Sequence, residues 1–173
     1  MNLSDRIRSI PDWPIKGVIF RDITTVLEDA EAFKYANDLF FERYKDQNID
    51  KIVGIDARGF IFGAVLAYKL GLPFIPVRKK GKLPFKTISA EYDLEYGKDI
   101  VEMNEDAIKK GERILVVDDL IATGGTVAAA IELVQKLGGI VTECCFLVEL
   151  IDLKGREKTG DIPIFSLTTF EGE

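Results

Sequence analysis

The residues that could do chemistry are concentrated in Val116-Val117-Asp118-Asp119-Leu120-Ile121-Ala122-Thr123-Gly124-Gly125-Thr126. An apolar run, two adjacent acids, a small-residue turn and a helix start follow one another, an order that builds an anion site from backbone N–H groups. Gly124 and Gly125 let the backbone approach a phosphate closely, and Ala122 keeps the turn small. Thr123 and Thr126 add hydroxyl donors, and the helix N-terminus contributes roughly half a positive charge. A carboxylate repels a phosphate unless it bonds something else. Asp118 and Asp119 therefore suit the cis-diol of a ribose, each accepting from a hydroxyl, and could assist Mg²⁺. The segment reads as a ribose 5-phosphate site. The bland alternative is a helix N-cap at Thr123 or Thr126 with the acids in a solvated turn.

Other phosphate motifs are excluded. Gly81-Lys82 is followed by Leu83 and Gly97-Lys98 by Asp99, so no G-x-x-x-x-G-K-[ST] occurs, and G-x-G-x-x-G is absent too. The chain has no histidine. That removes the Ser-His-Asp triad, the Cys-His pair and His-based zinc sites, leaving carboxylates, Lys, Tyr or water to move protons.

These groups must be positioned by strands and helices. Lys51 to Asp56 is β-rich, Phe60 to Leu70 has helical apolar spacing ending at Gly71, and Pro73 to Val77 is extended. Arg113 to Val117 is a continuous apolar strand. Thr126 to Leu137 places Val127, Ile131, Val134 and Leu137 on one helical face, and Ile140 to Leu150 resumes as a strand. Continuous apolar strands alternating with helices predict an α/β fold, a parallel sheet covered on both sides. Ligands bind beyond the carboxyl ends of such strands, so Asp56 and Asp118-Asp119 should border one crevice. Ala30 to Gln47 reads as a helix with Phe33, Ala36, Phe40 and Tyr44 inward. Ile10 to Val26, with Pro11, Pro14 and Gly17, reads as an irregular flap with a short strand. Arg78 to Gly97, rich in lysine, reads as a long functional loop.

The length of 173 residues and 47% hydrophobic content fit one domain. The net charge of −6 argues against sequence-independent nucleic-acid binding. No apolar run is long enough to cross a bilayer and the start resembles no signal peptide, so no membrane association and a cytoplasmic location are expected. Cys144 and Cys145, adjacent on a strand, should face opposite ways and remain unpaired.

The segment from Val116 to Thr126 resembles the phosphoribosyl pyrophosphate motif of type I phosphoribosyltransferases. Ile7 to Asp12, Gly17 to Ile23, Ala57-Arg58-Gly59-Phe60, Arg78 to Pro84, Leu94 to Lys98 and Leu153 to Lys158 extend the resemblance, over nearly the whole chain, to the adenine phosphoribosyltransferase family. The resemblance implies the type I phosphoribosyltransferase fold, a parallel sheet with flanking helices and a small N-terminal hood over roughly residues 1–30. It implies conversion of adenine and phosphoribosyl pyrophosphate to AMP and pyrophosphate in purine salvage, with Mg²⁺ held mainly by substrate oxygens, in a homodimer.

By the same resemblance the 5-phosphate lies against Ala122 to Thr126 and the ribose hydroxyls meet Asp118 and Asp119. Pyrophosphate is held near Asp56, Ala57 and Arg58, with Arg78, Lys79 and Lys82, and the Asp56–Ala57 peptide is expected to be cis. Phe20 stacks on the base, Arg21 covers it and the backbone at Ile19 reads its amino edge. Residues 78–97 form a lid that excludes water, with Glu95 beside Tyr96 as the catalytic pair. Phe85-Lys86 departs from the small or turn-forming residues expected after Pro84.

Two rival readings stay open. A sister enzyme for xanthine or hypoxanthine would need a donor where adenine needs an acceptor, which a backbone position can supply either way. A non-catalytic regulator would need a DNA-binding module for which this chain has no spare length. If Glu95 serves the base proton, Glu95→Gln should lower kcat by about a hundredfold or more with little change in KM. Turnover near wild type in steady-state kinetics would remove Glu95 from that role.

Overall fold

The computed structural model describes residues 1–94 and 96–172. The first strands, β1 (Arg8–Pro11) and β2 (Ile19–Asp22), pair antiparallel as a two-stranded hood, with Arg8 opposite Asp22 and Pro11 opposite Ile19. Helix α1 (Thr24–Glu28) and helix α2 (Ala30–Tyr44) follow. Asp29 caps α2 by accepting from the N–H groups of Glu31 and Ala32. Ala36, Phe40 and Tyr44 are buried and Phe33 half-buried, as the periodicity predicts.

Next come β3 (Lys51–Ile55), α3 (Gly59–Leu70), β4 (Phe74–Lys79), β5 (Thr87–Asp93), β6 (Lys98–Asn104), β7 (Arg113–Ile121), α4 (Gly125–Lys136), β8 (Ile140–Leu150) and β9 (Ile164–Phe170). The main sheet has seven strands in the order β5-β6-β4-β3-β7-β8-β9. Strands β4, β3, β7, β8 and β9 run parallel, while β5 and β6 add an antiparallel hairpin at the β4 edge. Alternate residues of the central strands feed two cores. Ile52, Leu115 and Cys145 join α1, α2 and α3 on one face, and Val53, Val116 and Cys144 join α4 on the other. The two cysteines are buried and free, and burial pushes both thiols up out of the physiological range.

Three expectations are corrected. Residues 78–97 are not one irregular loop, because they contain β5, whose alternation Ile88-Ala90-Tyr92 faces inward and whose backbone pairs with β6 from Thr87↔Asn104 to Asp93↔Lys98. The lysines and glycine around it masked that period of two. Strand β7 does not stop at Val117. It runs through both acids to Ile121, which pairs with Glu149 of β8. The flap over residues 10–26 is more regular than its prolines implied, holding the hood hairpin and the start of α1.

Two glycines let α3 approach the sheet. A Cβ on Gly54 would lie 2.5 Å from the Phe74 ring, and one on Gly63 would lie 2.9 Å from it. Phe60 packs edge-on against that ring at 5.6 Å, which restricts how the ring can yield. Gly54→Ala should therefore cost about 1–3 kcal/mol in urea unfolding. Gly54→Ala combined with Phe74→Leu should be less destabilised than the two changes summed. Additivity within about 0.5 kcal/mol would contradict the collision.

Candidate active site

The carboxyl ends of β3, β4 and β7 and the N-terminus of α4 enclose a cavity of about 460 Å³. Its walls bring together Asp56, Ala57, Arg58, Lys79, Asp118, Asp119, Ala122, Thr123, Gly124, Gly125 and Thr126, all singled out in the sequence, with Tyr92 and Phe146, which were not. A second cavity of about 300 Å³ is lined by Ile19, Phe20 and Arg21 of the hood with Leu120, Leu150 and Leu153. Arg58, Leu120 and Ala122 belong to both, so the cavities meet there.

The Ala122–Thr126 turn is set by backbone crowding. Gly124 adopts φ 83°, open to glycine without steric cost, and precedes the first turn of α4. A side chain on Gly124 would collide with the Gly155 carbonyl, and one on Gly155 would lie 2.5 Å from the Ala122 carbonyl. Gly155 is itself held from the next residue. Arg156 pairs with buried Glu149 through Nε–Oε1 at 2.5 Å and Nη2–Oε2 at 2.6 Å, and Nη1 donates to the Ile164 carbonyl at 2.9 Å. The Arg156 guanidinium holds the Glu149 carboxyl below its usual range. The Leu153 to Lys158 block carries the family resemblance, yet nothing in its composition announces this supporting role.

Asp118 and Asp119 sit side by side at the end of β7. Both carboxyls are pushed up by burial, and Asp118 rises well above the usual range because the Asp119 charge adds to its burial. Part of Asp118 faces the crevice, but its Oδ1 is enclosed at the start of α3, where a Cβ on Gly59 would approach within 2.8 Å. Asp118 Oδ1 accepts from the Asp119 N–H at 2.8 Å. Arg58 Nε lies 2.7 Å from Asp119 Oδ2 and lowers that group's upward shift. The approach is not aligned as a hydrogen bond, so buried Oδ2 has no hydrogen-bond donor. An oxygen in that state is suited to a ligand hydroxyl or cation. Among the described residues no three His, Cys, Asp or Glu side chains gather into a metal site. A divalent ion here would take most of its oxygens from a ligand.

The other cations also carry acidic partners. Arg78 Nε donates to Asp56 Oδ2 at 3.1 Å, and Lys79 Nζ donates to Asp99 Oδ2, which also accepts from the Tyr92 hydroxyl at 3.0 Å. Arg78 and Lys82 do not line the cavity, and the Lys82 carbonyl faces Arg78 Nη1 at 3.5 Å. Tyr96 is 87% exposed at the tip of the β5–β6 hairpin, outside both cavities. Glu95 lies outside the described residues. In the hood, Trp13 packs edge-on against Phe20 at 4.5 Å, while Arg21 donates to Ser9 Oγ at 2.6 Å and lies 4.2 Å from the Phe170 ring centre. The Asp56–Ala57 peptide is cis, as expected, and so is Trp13–Pro14.

The raised Asp118 and Asp119 carboxyls make the native state hold protons to higher pH than the unfolded chain. Their contribution to stability is complete below the unfolded value near 4 and declines as pH rises toward the raised native values. Asp118→Asn removes the like-charge repulsion. In thermal scans it should raise the Tm of the free protein at pH 7 by about 2–4 °C for each ~1 kcal/mol relieved. The gain should shrink toward pH 4. A variant less stable than wild type at pH 7, with an unchanged pH slope, would contradict this.

The pattern of the phosphoribosyl transferase domain family matches residues 22–172. The chain is 65% identical over 173 residues to the adenine phosphoribosyltransferase of Desulfosudis oleivorans, covering 100% of both chains. It is 56% identical over 171 residues to that of Clostridium novyi, covering 99% of each. Among solved structures, the adenine phosphoribosyltransferase of Thermoanaerobacter pseudethanolicus superposes with a TM-score of 0.93 at 50% identity, over 97% of this chain and 98% of that one. The Saccharomyces cerevisiae enzyme, complexed with adenine and an imino-altritol bisphosphate, superposes with a TM-score of 0.91 at 41% identity, over 96% of both chains. With two cavities meeting at Arg58, Leu120 and Ala122 at the carboxyl edge of its sheet, the chain belongs to the phosphoribosyltransferase family.

Proposed function

We infer that the chain transfers the 5-phosphoribosyl group of phosphoribosyl pyrophosphate to adenine, giving AMP and pyrophosphate. The observation that carries this reading is the pair of joined cavities, one polar and opening on the α4 N-terminus, the other lined mainly by apolar residues under the hood. A ribose 5-phosphate anchored in the first directs C1 toward the second. The relatives named adenine phosphoribosyltransferase support adenine as the base.

The N–H groups of the Ala122–Thr126 turn and the hydroxyls of Thr123 and Thr126 hold the 5-phosphate. Asp118 and Asp119 accept from the ribose hydroxyls, which gives Asp119 Oδ2 a donor. Phe20, Leu150 and Leu153 sandwich a flat base. Arg58 and Lys79, with Arg78 and Lys82 swung inward, oppose the charge on the leaving pyrophosphate while C1 becomes cationic. Mg²⁺, when bound mainly through substrate oxygens with Asp118 and Asp119 near, would supply further positive charge on the leaving group. Closure of the β5–β6 hairpin tip excludes water and brings in Tyr96 and Glu95, whose carboxyl serves the base proton. The resemblance also carries a homodimer and a cytoplasmic setting. Among the described residues no helix is long and apolar enough to cross a membrane.

Mixing the protein with Mg²⁺, phosphoribosyl pyrophosphate and one base at a time decides the reading. Pyrophosphate release is expected with adenine, and at least about a hundredfold lower kcat/KM with hypoxanthine, guanine or xanthine, as a base-edge hydrogen-bond mismatch produces. Faster release with an oxopurine would reassign the base, and none with any base would overturn the transferase reading.

A further inference from the structure

Two cations, Arg58 and Lys79, line the phosphate cavity, and a third, Arg78, pairs with Asp56 of its wall; each rests on a carboxylate, but the acids are not equivalent. Asp56 and Asp119, the partners of Arg78 and Arg58, themselves line the cavity and can accept from a ligand once their cation moves. Asp99, the partner of Lys79, does not line it. It stands on β6 directly opposite Tyr92 of β5, and its Oδ1 accepts from the Ile100 N–H at 2.9 Å. Its Oδ2 takes both the Lys79 ammonium and the Tyr92 hydroxyl. Lys79 and Tyr92 do line the cavity, and the Tyr92 ring covers the phosphate loop, where a Cβ on Gly125 would lie 3.5 Å from it. Asp99 therefore sits behind the cavity wall, tied to the side chain at its pyrophosphate end and to the one at its 5-phosphate end.

Resting on the reading of this cavity as a phosphoribosyl pyrophosphate site, we propose that Asp99 is a positioning residue that holds Lys79 at the wall as a neutralised ion pair and thereby weakens the protein's grip on pyrophosphate. An ammonium with three N–H donors can keep Asp99 and still touch a phosphate oxygen. Its charge is then shared between Asp99 and the incoming anion, so less of it is left to hold pyrophosphate. The pair is solvent-facing, with side-chain exposures of 55% for Lys79 and 26% for Asp99, so the effect is moderate rather than decisive. The Asp99 carboxyl is held below its usual range by the Lys79 ammonium, so it stays ionised at neutral pH.

The test is calorimetric titration of the full-length protein with magnesium pyrophosphate, in wild type, Asp99→Asn, Lys79→Gln and the double variant, with thermal scans to show that each is folded. Asp99→Asn should bind about three- to tenfold more tightly than wild type, a difference that narrows in high salt. In the Lys79→Gln background the same change should give no gain. Unchanged or weaker binding in Asp99→Asn overturns the proposal, because a purely structural Asp99 can only lose affinity when replaced. An equal gain in both backgrounds also overturns it, since the effect would then be a general field and not the Lys79 pair. Wild-type protein that binds no magnesium pyrophosphate would overturn the function above together with this inference, whereas wild-type binding without the gain sinks this inference alone.

Discussion

Two neighbouring carboxylates enclosed at the end of a central strand repel each other and lose hydration together, so the surrounding chain must supply what water no longer does. Asp118 and Asp119 are in that position, and the nearby structure is arranged around them. Gly59 has no side chain because one would strike Asp118 Oδ1 and the Val117 carbonyl. Arg58, just before α3, stands over Asp119. The α4 N-terminus, which favours negative charge, begins six residues after Asp119. Even so, both carboxyls remain shifted upward and Asp119 Oδ2 has no donor. The protein carries a local electrostatic cost there, a common relation between a site and its own stability.

The cations around the cavity are also paired. Arg58, Arg78 and Lys79 each rest on an aspartate, so the region is far less positive than a count of its basic residues implies. A polyanion entering it competes with resident acids for those cations. Affinity then depends on the difference between two sets of ion pairs and not on the number of lysines and arginines.

The supports of the two cavities are also mechanically joined. The turn from Ile151 to Thr159 presents Leu153 to the apolar cavity and Gly155 to the phosphate loop, and Arg156 fastens that turn to Glu149 and Ile164. Because glycine meets backbone at 155 and at 124, the loop has no room to shift without moving the turn. One wall of the apolar cavity and the Ala122–Thr126 turn are therefore braced by a single piece of chain.

Much of this was legible in order along the chain. The strand, acid pair, glycine turn and helix of residues 116–126 are contiguous, so their chemistry is local, and apolar periodicity located β3, α3, α4 and β8 to within a few residues. What could not be read locally are relations between distant segments. The β5–β6 hairpin was hidden by the lysines and glycine around β5, of which Lys79 finds its acid, Asp99, on another strand. Leu120, Leu150 and Leu153 look like ordinary core residues until the fold opens a cavity between them and the hood, and Asp99 looks like a solvated charge until β6 is laid beside β4 and β5. The sequence by itself determined which groups lie together in the site, because the backbone N–H groups, hydroxyls and paired carboxylates of residues 116–126 are contiguous along the chain. Only the tertiary structure decided which cation rests on which acid and how the two cavities meet, because ion pairing and packing depend on distances between residues that the chain separates and folding brings together.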